Sequence, residues 1–531
     1  MPKPTDYDKT HLRNMAAIGT RIDRIFKKAA EEAAKIGVSM KATLPEDRIF
    51  SFDDYPQTKK QIDRLMTALQ ESMETTIVNG VRSEWTLSNN KNNALASRIF
   101  GDNLGKLSKE QYKRYYSTNG NALDAFIKRK ENGLTLSDRV WKYTDAFKKE
   151  IEFGLDLGIR SGENASSLAR SLQEYLQYPD KLFRRVRDKH GILRLSKAAK
   201  AFHPGRGVYR SSHKNARRLA ATETNIAYRT SDHLRWQQMD FVVGIEIKLS
   251  NNHTLNGMPL TDICDTLKGR YPKDFKFVGW HPHCRCHVVT VLKTEEEMMR
   301  DTQRILNGEQ PLKGSVNTIK SVPSAFKDWV YKNEERFKSA KSLPYFVRDN
   351  KKRVKRILEG QERIEANRRE YDRLLADPKY KDVEFNPENG GLKATHIRHN
   401  FDGKTGWYEK SVQEVGFNFG SSVILEEEIH SIQNKKNVEG TFDSLPFEIA
   451  GAETGLPNNI RNSLKHCASK PNCKVAVIFL PDETKVDMKS IREGLKKYYG
   501  LKNDPKQFKD FQIIYVMTPT KLIYVQKKQG D

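Results

Sequence analysis

Three of the chain's five cysteines, Cys264, Cys284 and Cys286, fall within 23 residues, with His281, His283 and His287 beside them. If these side chains gather on one ion, the segment around Cys264 is tied to the turn His281-Pro-His-Cys-Arg-Cys286. That limits how the flanking strands can run. Thiolate and imidazole together suit a soft or borderline metal, and zinc is the usual one. A structural zinc is closed by four protein ligands. We take Cys264, His281, Cys284 and Cys286 as that set, with His283 and His287 in reserve, because spacing alone does not separate neighbouring alternates. The Cys-x-Cys step is tighter than the usual finger knuckle. A group of reduced structural thiols at a strand entrance is therefore the competing reading. The odd cysteine count argues against a disulfide framework and for a reducing compartment.

The 531 residues carry a net charge of +25. That balance favours contact with DNA, RNA or another acidic surface. The charge is uneven: between Pro179 and Trp236 fifteen Lys/Arg stand against four Asp/Glu. Arg184, Arg185, Arg187, Arg217 and Arg218 are the candidate phosphate contacts there, with Arg398 and Lys465 further on. Contacts of this kind neutralise phosphates without reading sequence. The alternative is a solvated basic face. No apolar run approaches the ~20 residues of a membrane span, and no signal peptide is legible at the start. The expectation is a chain with no membrane partner.

The patterns predict several domains. Residues 1–55 read as a helical arm or packing helix. Residues 56–310 read as a mostly α-helical body. Pro56 opens a long helix, Ser108 and Asn164 cap two others, and Tyr178-Pro179 closes the last of these. A helix is expected from Ser212 to about Met239. Residues 240–293 read as a small α+β unit whose strands are Phe241–Ser250, alternating from Ile245, then Phe277–Trp280 and His287–Leu292. Residues 311–375 read as a linker followed by charged helix from Ser324 to Leu375.

Residues 376–531 change character. Strand-like runs at Val423, Phe447, Val475, Phe511 and Leu522 alternate with helices at Asn458 and Lys489. This predicts an α+β domain with a small antiparallel sheet and a helix on one face. Cleavage of RNA through its own 2′-hydroxyl needs a base, an acid and a cation near the phosphate. Lys393, His396, His399, Asp443 and Glu448 include all three types and are the candidate catalytic residues. The competing reading makes Glu448 a strand-edge charge and His396 a surface residue. Cys467 and Cys473 read as packing thiols.

Two resemblances follow from these motifs. Gly279-Trp-His-Pro-His-Cys-Arg-Cys286, with Asn215-Ala-Arg-Arg-Leu-Ala-Ala-Thr-Glu-Thr-Asn-Ile-Ala-Tyr-Arg229 upstream, resembles the phage Mu F-like head morphogenesis family. Gly133–Trp141 and Gly158–Ala169 resemble its helical portion, so the likeness covers roughly residues 60–295. Ala221 stands where that family often has Arg. The resemblance implies a minor head protein acting in capsid assembly and DNA packaging. Its partners would be the portal and other capsid proteins, inside the virion and in the host cytoplasm. Gly440–Ile449, Asn458–His466 and Val475–Leu480 resemble the C-terminal tRNA nuclease domain of contact-dependent inhibition toxins, which is similar to the barnase–EndoU–colicin–RelE-like nucleases. That implies metal-independent tRNA cleavage. The family pattern is Asp…Glu-x-Lys, and this chain has Glu448-Ile-Ala450. Lys393, Lys465 or Arg461 would then supply the cation, or the domain is an inactive appendage. A delivered ribonuclease toxin and a purely structural virion protein are the alternatives.

Overall fold

The computed structural model describes residues 5–40, 50–160, 164–178, 185–187, 193–195, 211–250, 254–255, 258–259, 261–282, 284–401, 403–427 and 438–528. They fall into two compact units, Met1–Val354 and Lys355–Asp531. The first is mostly helical with small sheets, and the second is built on one large sheet. This is the multidomain architecture of helical body and α+β domain that the patterns predict. Among the described residues no helix is long and apolar enough to cross a membrane.

The first unit opens with α1 (Asp6–Ser39), α2 (Pro56–Phe100), α3 (Lys109–Tyr116), α4 (Gly120–Lys128), α5 (Leu136–Arg160) and α6 (Ala165–Gln177). Pro56 takes the first position of α2, where a missing N–H costs nothing. Ser108 forms a capping box with Gln111, and Asn164 caps α6 through Ser167. The α1 segment is no free arm: Ile18, Ile22, Phe26, Ala30 and Ala33 are buried in the common core with Met73, Ile77, Phe147 and Leu172. The central element is α7 (Ser212–Gln238), buried without a break from Leu219 to Arg229. Gly80 of α2 lets three helices meet. A Cβ there would lie 2.7 Å from Ile18 and 2.8 Å from Thr224.

Short strands β1 (Arg185–Arg187) and β2 (Leu193–Leu195) pair antiparallel. The second sheet has β3 (Val242–Lys248) at its centre. The pair β4 (Thr254–Leu255) and β5 (Met258–Pro259) and helix α8 (Ile263–Leu267) follow. The flanking strands are β6 (Gly269–Tyr271) and β7 (His287–Leu292), both antiparallel to β3. The expected strand at Phe277–Trp280 is a loop, and β6 takes its place in the sheet. Gly279 has φ +128°, which ends any extended run, and Trp280 is buried against Phe277, Tyr271 and Phe346. Aromatic burial decides this stretch, not strand pairing.

After α9 (Glu295–Leu306), the stretch Ser324–Leu375 is divided into four helices. These are α10 (Ser324–Lys332), α11 (Glu334–Ser339), α12 (Tyr345–Asp349) and α13 (Lys351–Ala376). Asn333, Pro344 and Asn350 stand at the breaks. The division between the two units falls within the first turn of α13.

Among its described residues the second unit holds eight strands: β8 (Tyr380–Phe385), β9 (Leu392–His396), β10 (Ser422–Leu425), β11 (Gly440–Phe442), β12 (Leu445–Gly451), β13 (Val475–Phe479), β14 (Ile513–Met517) and β15 (Leu522–Lys527). They lie side by side in reverse chain order, β15 to β8. The expected small antiparallel sheet with one covered face is replaced by a mixed sheet. The pairs β9–β10, β12–β13 and β13–β14 are parallel. Helix α14 (Gly406–Phe419) packs on one face through Val412, against Val423, Phe447 and Val477. Helices α15 (Pro457–Ala468) and α16 (Met488–Tyr499) pack on the other through Ile460, Leu464 and Leu495, against Ala476 and Ile478. Parallel neighbours need crossover helices, which cover both faces, so β13 is apolar at every position rather than alternating.

Candidate metal centre and C-terminal polar sites

The capping box of Asp262 and Asp265 starts α8 and sets Cys264 in its first turn, buried. Cys264 Sγ lies 3.9 Å from Cys284 Sγ and 3.2 Å from His281 Nε2. The three ligand atoms lie within 4.8 Å of one another. Zinc–ligand bonds of about 2.3 Å to sulfur and 2.1 Å to nitrogen, at tetrahedral angles, put two sulfurs roughly 3.8 Å apart and sulfur and nitrogen about 3.6 Å apart. The cluster sits near those separations and can hold a metal ion. His281 Nδ1 lies 2.8 Å from the carbonyl of Pro282, to which it donates, so Nε2 presents its lone pair toward the sulfurs. This is the orienting contact that ligand histidines use. The same Nε2 lies 3.5 Å from the Asp262 carboxylate. A Cβ on Gly279 would come 3.1 Å from the Cys284 Cβ, so glycine makes room for the turn.

Cys286 is buried beside the cluster, and the three thiols act on one another. Hydrogen bonds from Cys264 and Cys286 hold the Cys284 thiol well below its ordinary range, while the bond to Cys284 pushes Cys264 up. His287 is on β7, buried, and burial with nearby Arg229 lowers its pKa; it is not one of the clustered ligands. His283 lies outside the described residues.

The cluster is anchored to α7. Arg229 donates to the Cys286 carbonyl at 2.9 Å, and Asn225 donates to the Val278 carbonyl at 3.0 Å. Behind these contacts lies a buried polar network. Lys91 of α2 meets Asp232 at 2.5 Å and Asp8 at 3.5 Å, and Arg229 lies 3.7 Å from Asp232 and 3.6 Å from Asp8. Burial works to raise the Asp8 carboxyl, but Lys91 and Arg229 outweigh it and hold it well below the usual range. His11 joins α1 to the network through Glu84 and Asn225. Spacing along the chain does not reveal these residues, because their partners lie up to 220 positions away.

In the second unit the candidate catalytic residues do not converge. Lys393 on β9 pairs with Glu414 of α14 at 2.8 Å and with Glu384 at 3.2 Å. His399 bonds Glu409 of α14 at 2.8 Å. His396 faces the other side, edge-on to Tyr380, and its Nδ1 accepts from the Arg398 N–H. Glu448, on that second side, is buried against α15. The strands β9 and β12 are three steps apart in the sheet, roughly 14 Å. One pocket of Lys393, His396, His399 and Glu448 is therefore excluded by the alternation of side chains and the strand order. Asp443 serves a turn. It and Ser444 take φ +47° and +65° between β11 and β12, and its carboxylate accepts from Ser422 N–H at 2.9 Å and Ser421 Oγ at 3.1 Å.

Glu448 has partners that sequence reading missed. One of its oxygens lies 3.0 Å from His466 Nε2 and 2.9 Å from Lys470 Nζ, and the other is buried with no hydrogen-bond partner among the described residues. The His466 side chain is 55% exposed and the Lys470 side chain 20%. A buried carboxylate thus orients an accessible imidazole beside an ammonium. Lys470 Nζ and His466 Nε2 meet the same Glu448 oxygen. A position 22 residues downstream, past the end of α15, carries no spacing signal. Cys467 and Cys473 are buried in the α15–α16 core, and burial pushes Cys473 up to about 12.

Of the candidate phosphate contacts, Arg184 lies outside the described residues. Arg185 and Arg187 are on β1. Arg217 is exposed but pairs with Asp23 at 3.3 Å, and Arg218 lines a cavity of about 510 Å³ with Arg139, Tyr143 and His281. Arg398 is exposed and pairs with Glu427 at 3.1 Å, and Lys465 is half-buried on α15. No protein-family model matches this chain, and no curated protein or solved structure matches it.

Proposed function

We propose that this chain is a minor head protein of a tailed phage, acting in capsid assembly and DNA packaging near the portal, with structural zinc in its N-terminal body. One observation carries the reading. The two separate stretches that resemble the Mu F-like family, Asn215–Arg229 and Gly279–Cys286, meet in the fold, joined by Asn225 to the Val278 carbonyl and Arg229 to the Cys286 carbonyl. Cys264, His281 and Cys284 would hold the ion, with Cys286 as the fourth ligand. Zinc there would fix the turn against α8 and supply no reaction. The test is elemental analysis of the purified chain together with fractionation of phage particles. We expect one zinc per chain, lost in Cys284→Ser, and a few copies of the chain per particle. Its absence from particles and assembly intermediates would overturn the assignment.

A second reading concerns Lys355–Asp531, and the Glu448–His466–Lys470 geometry favours it: this unit cleaves RNA. His466, oriented by Glu448, would take the proton of a 2′-hydroxyl. The 2′-oxygen attacks phosphorus, the bond to the 5′-oxygen breaks, and that oxygen takes a proton from solvent. Lys470 would offset the charge gathering on the phosphate. Incubating the full chain with tRNA should yield fragments ending in cyclic phosphate, and His466→Gln should abolish them. Intact tRNA with the wild-type chain defeats this reading.

A further inference from the structure

We infer that the first unit binds a small phosphate ester in the cavity of about 510 Å³ beside the metal turn. The site is independent of both functional readings, since it needs neither the atoms offered to zinc nor any residue of the second unit. Separate stretches of chain build its walls. Arg139 and Tyr143 come from α5, Thr222 from α7, Trp280 from the turn, and Tyr345 and Arg348 from α12. His281 also lines it, but its Nε2 faces Cys264 Sγ at 3.2 Å and its Nδ1 the Pro282 carbonyl at 2.8 Å. Both ring nitrogens are therefore engaged elsewhere.

Three buried donors in these walls lack acceptors. Arg139 gives Nη1 to Glu223 at 2.7 Å and Nε to the Thr135 carbonyl at 3.3 Å, while its Nη2 has no partner among the described residues. Thr222 Oγ1 and Trp280 Nε1 have none there either, and both residues are buried. Indole and guanidinium N–H groups only donate. Leaving them buried and unmet costs free energy, which a ligand rich in oxygen would recover. The charge has the matching sign. Glu223 is shared by Arg129 and Arg139, Glu131 by Arg129 and Arg348, and Asp349 by Arg348 and Lys276. In these pairs four cations meet three carboxylates, so the walls favour an anion. The donors arrive from α5, α7 and the turn. A phosphate presents oxygens tetrahedrally to three such sources, whereas a carboxylate has two oxygens in one plane. Arginine also suits phosphate geometrically, through parallel N–H···O bonds. The cavity lies within the roughly 300–1,000 Å³ of small-molecule sites, and Tyr143, Leu343 and Tyr345 give it an apolar side. The phosphate is thus one end of an organic molecule. The three donor atoms are covered by the wall, so binding includes a side-chain adjustment there.

The test is isothermal titration calorimetry of the full chain with inorganic phosphate and with phenyl phosphate, at constant ionic strength. We expect one saturable site per chain, with phenyl phosphate the tighter ligand because its ring meets the apolar side. Thr222→Val keeps the shape and removes the hydroxyl. Arg139→Lys keeps the charge beside Glu223 and removes Nη2. Each should weaken phosphate binding about 10-fold or more, the worth of a hydrogen bond to a charged group. Urea unfolding of Thr222→Val should show no loss of stability, because its hydroxyl has no partner to lose. A wild-type chain without saturable phosphate binding overturns the site. Wild-type affinity in folded Thr222→Val and Arg139→Lys also overturns it, and would place the phosphate elsewhere, on the metal included. Acetate competing as well as phosphate, or phenyl phosphate binding no tighter than phosphate, refutes the ligand class.

Discussion

The middle of helix α7, Leu219–Arg229, and strand β13 are both buried at every residue, yet the two elements are built in opposite ways. Val475–Phe479 of β13 is apolar throughout and makes no demand on its neighbours beyond shape. In α7 the buried set includes Glu223, Asn225, Arg229, Asp232 and Arg235, and these need partners at fixed positions. Arg129 and Arg139 meet Glu223 at 2.8 and 2.7 Å, Lys91 meets Asp232, and Arg235 donates to backbone carbonyls of Tyr115 and Ser117. An apolar strand tolerates small repacking. A charged helix in a core accepts one arrangement, because any slip leaves a charge without its counterpart. The cysteine cluster hangs from the second kind of element, and its geometry is held accordingly.

The comparison is broken most directly by Arg229→Met. It strands Asp8 and Asp232 beside a single lysine and should cost about 3–5 kcal/mol in urea unfolding of the first unit. Ile478→Ala in β13 creates a cavity and should cost about 2–5 kcal/mol. Its effect should be confined to the second unit, read by amide hydrogen exchange. Loss of the proposed zinc in Arg229→Met, with the second unit unchanged, would tie the cluster to the α7 network. Unchanged stability in Arg229→Met would mean that the network is ornamental.

A pH experiment sharpens the same contrast. Burial pushes the Glu150 carboxyl from its ordinary 4.5 up to about 8, although it accepts from Ser212 at the start of α7. The folded state then holds a proton that the unfolded state releases. Stability from this group is complete below about pH 4.5 and is lost as pH rises towards 8. Glu150→Gln should flatten that part of the stability profile; an unaltered slope would refute the assignment. The smallest effect expected is Asp443→Ala, which removes two hydrogen bonds from an exposed turn and should cost about 1–2 kcal/mol in the second unit. A larger loss would mark Asp443 as more than a turn residue.

Much of the local structure was legible. Pro56, Ser108, Asn164 and the Ser212 helix start lie where capping chemistry puts them. The cysteine–histidine spacing picked out Cys264, His281 and Cys284 as neighbours. Phe277–Trp280 misled because an aromatic run reads alike whether it is a strand or a loop wrapped around its own rings. The mixed sheet was misjudged because β8, β9 and β11 are short or carry charge, so their pattern is weak. Glu448 was singled out without its partners, and Lys393, His396 and His399 were grouped by proximity along the chain, although the pleat sends alternate residues to opposite faces.

Residue type and spacing alone determined that this chain gathers thiols and imidazoles in one turn, carries a large positive charge and divides into a helical body and a sheet-bearing unit. Tertiary structure alone decided which charges are neutralised, which carboxylate meets His466 and Lys470, and which histidine meets Glu409. The reason is physical. Periodicity and caps act over a few residues, whereas a buried charge selects its partner by distance in space, and that distance exists only once the helices and strands have packed.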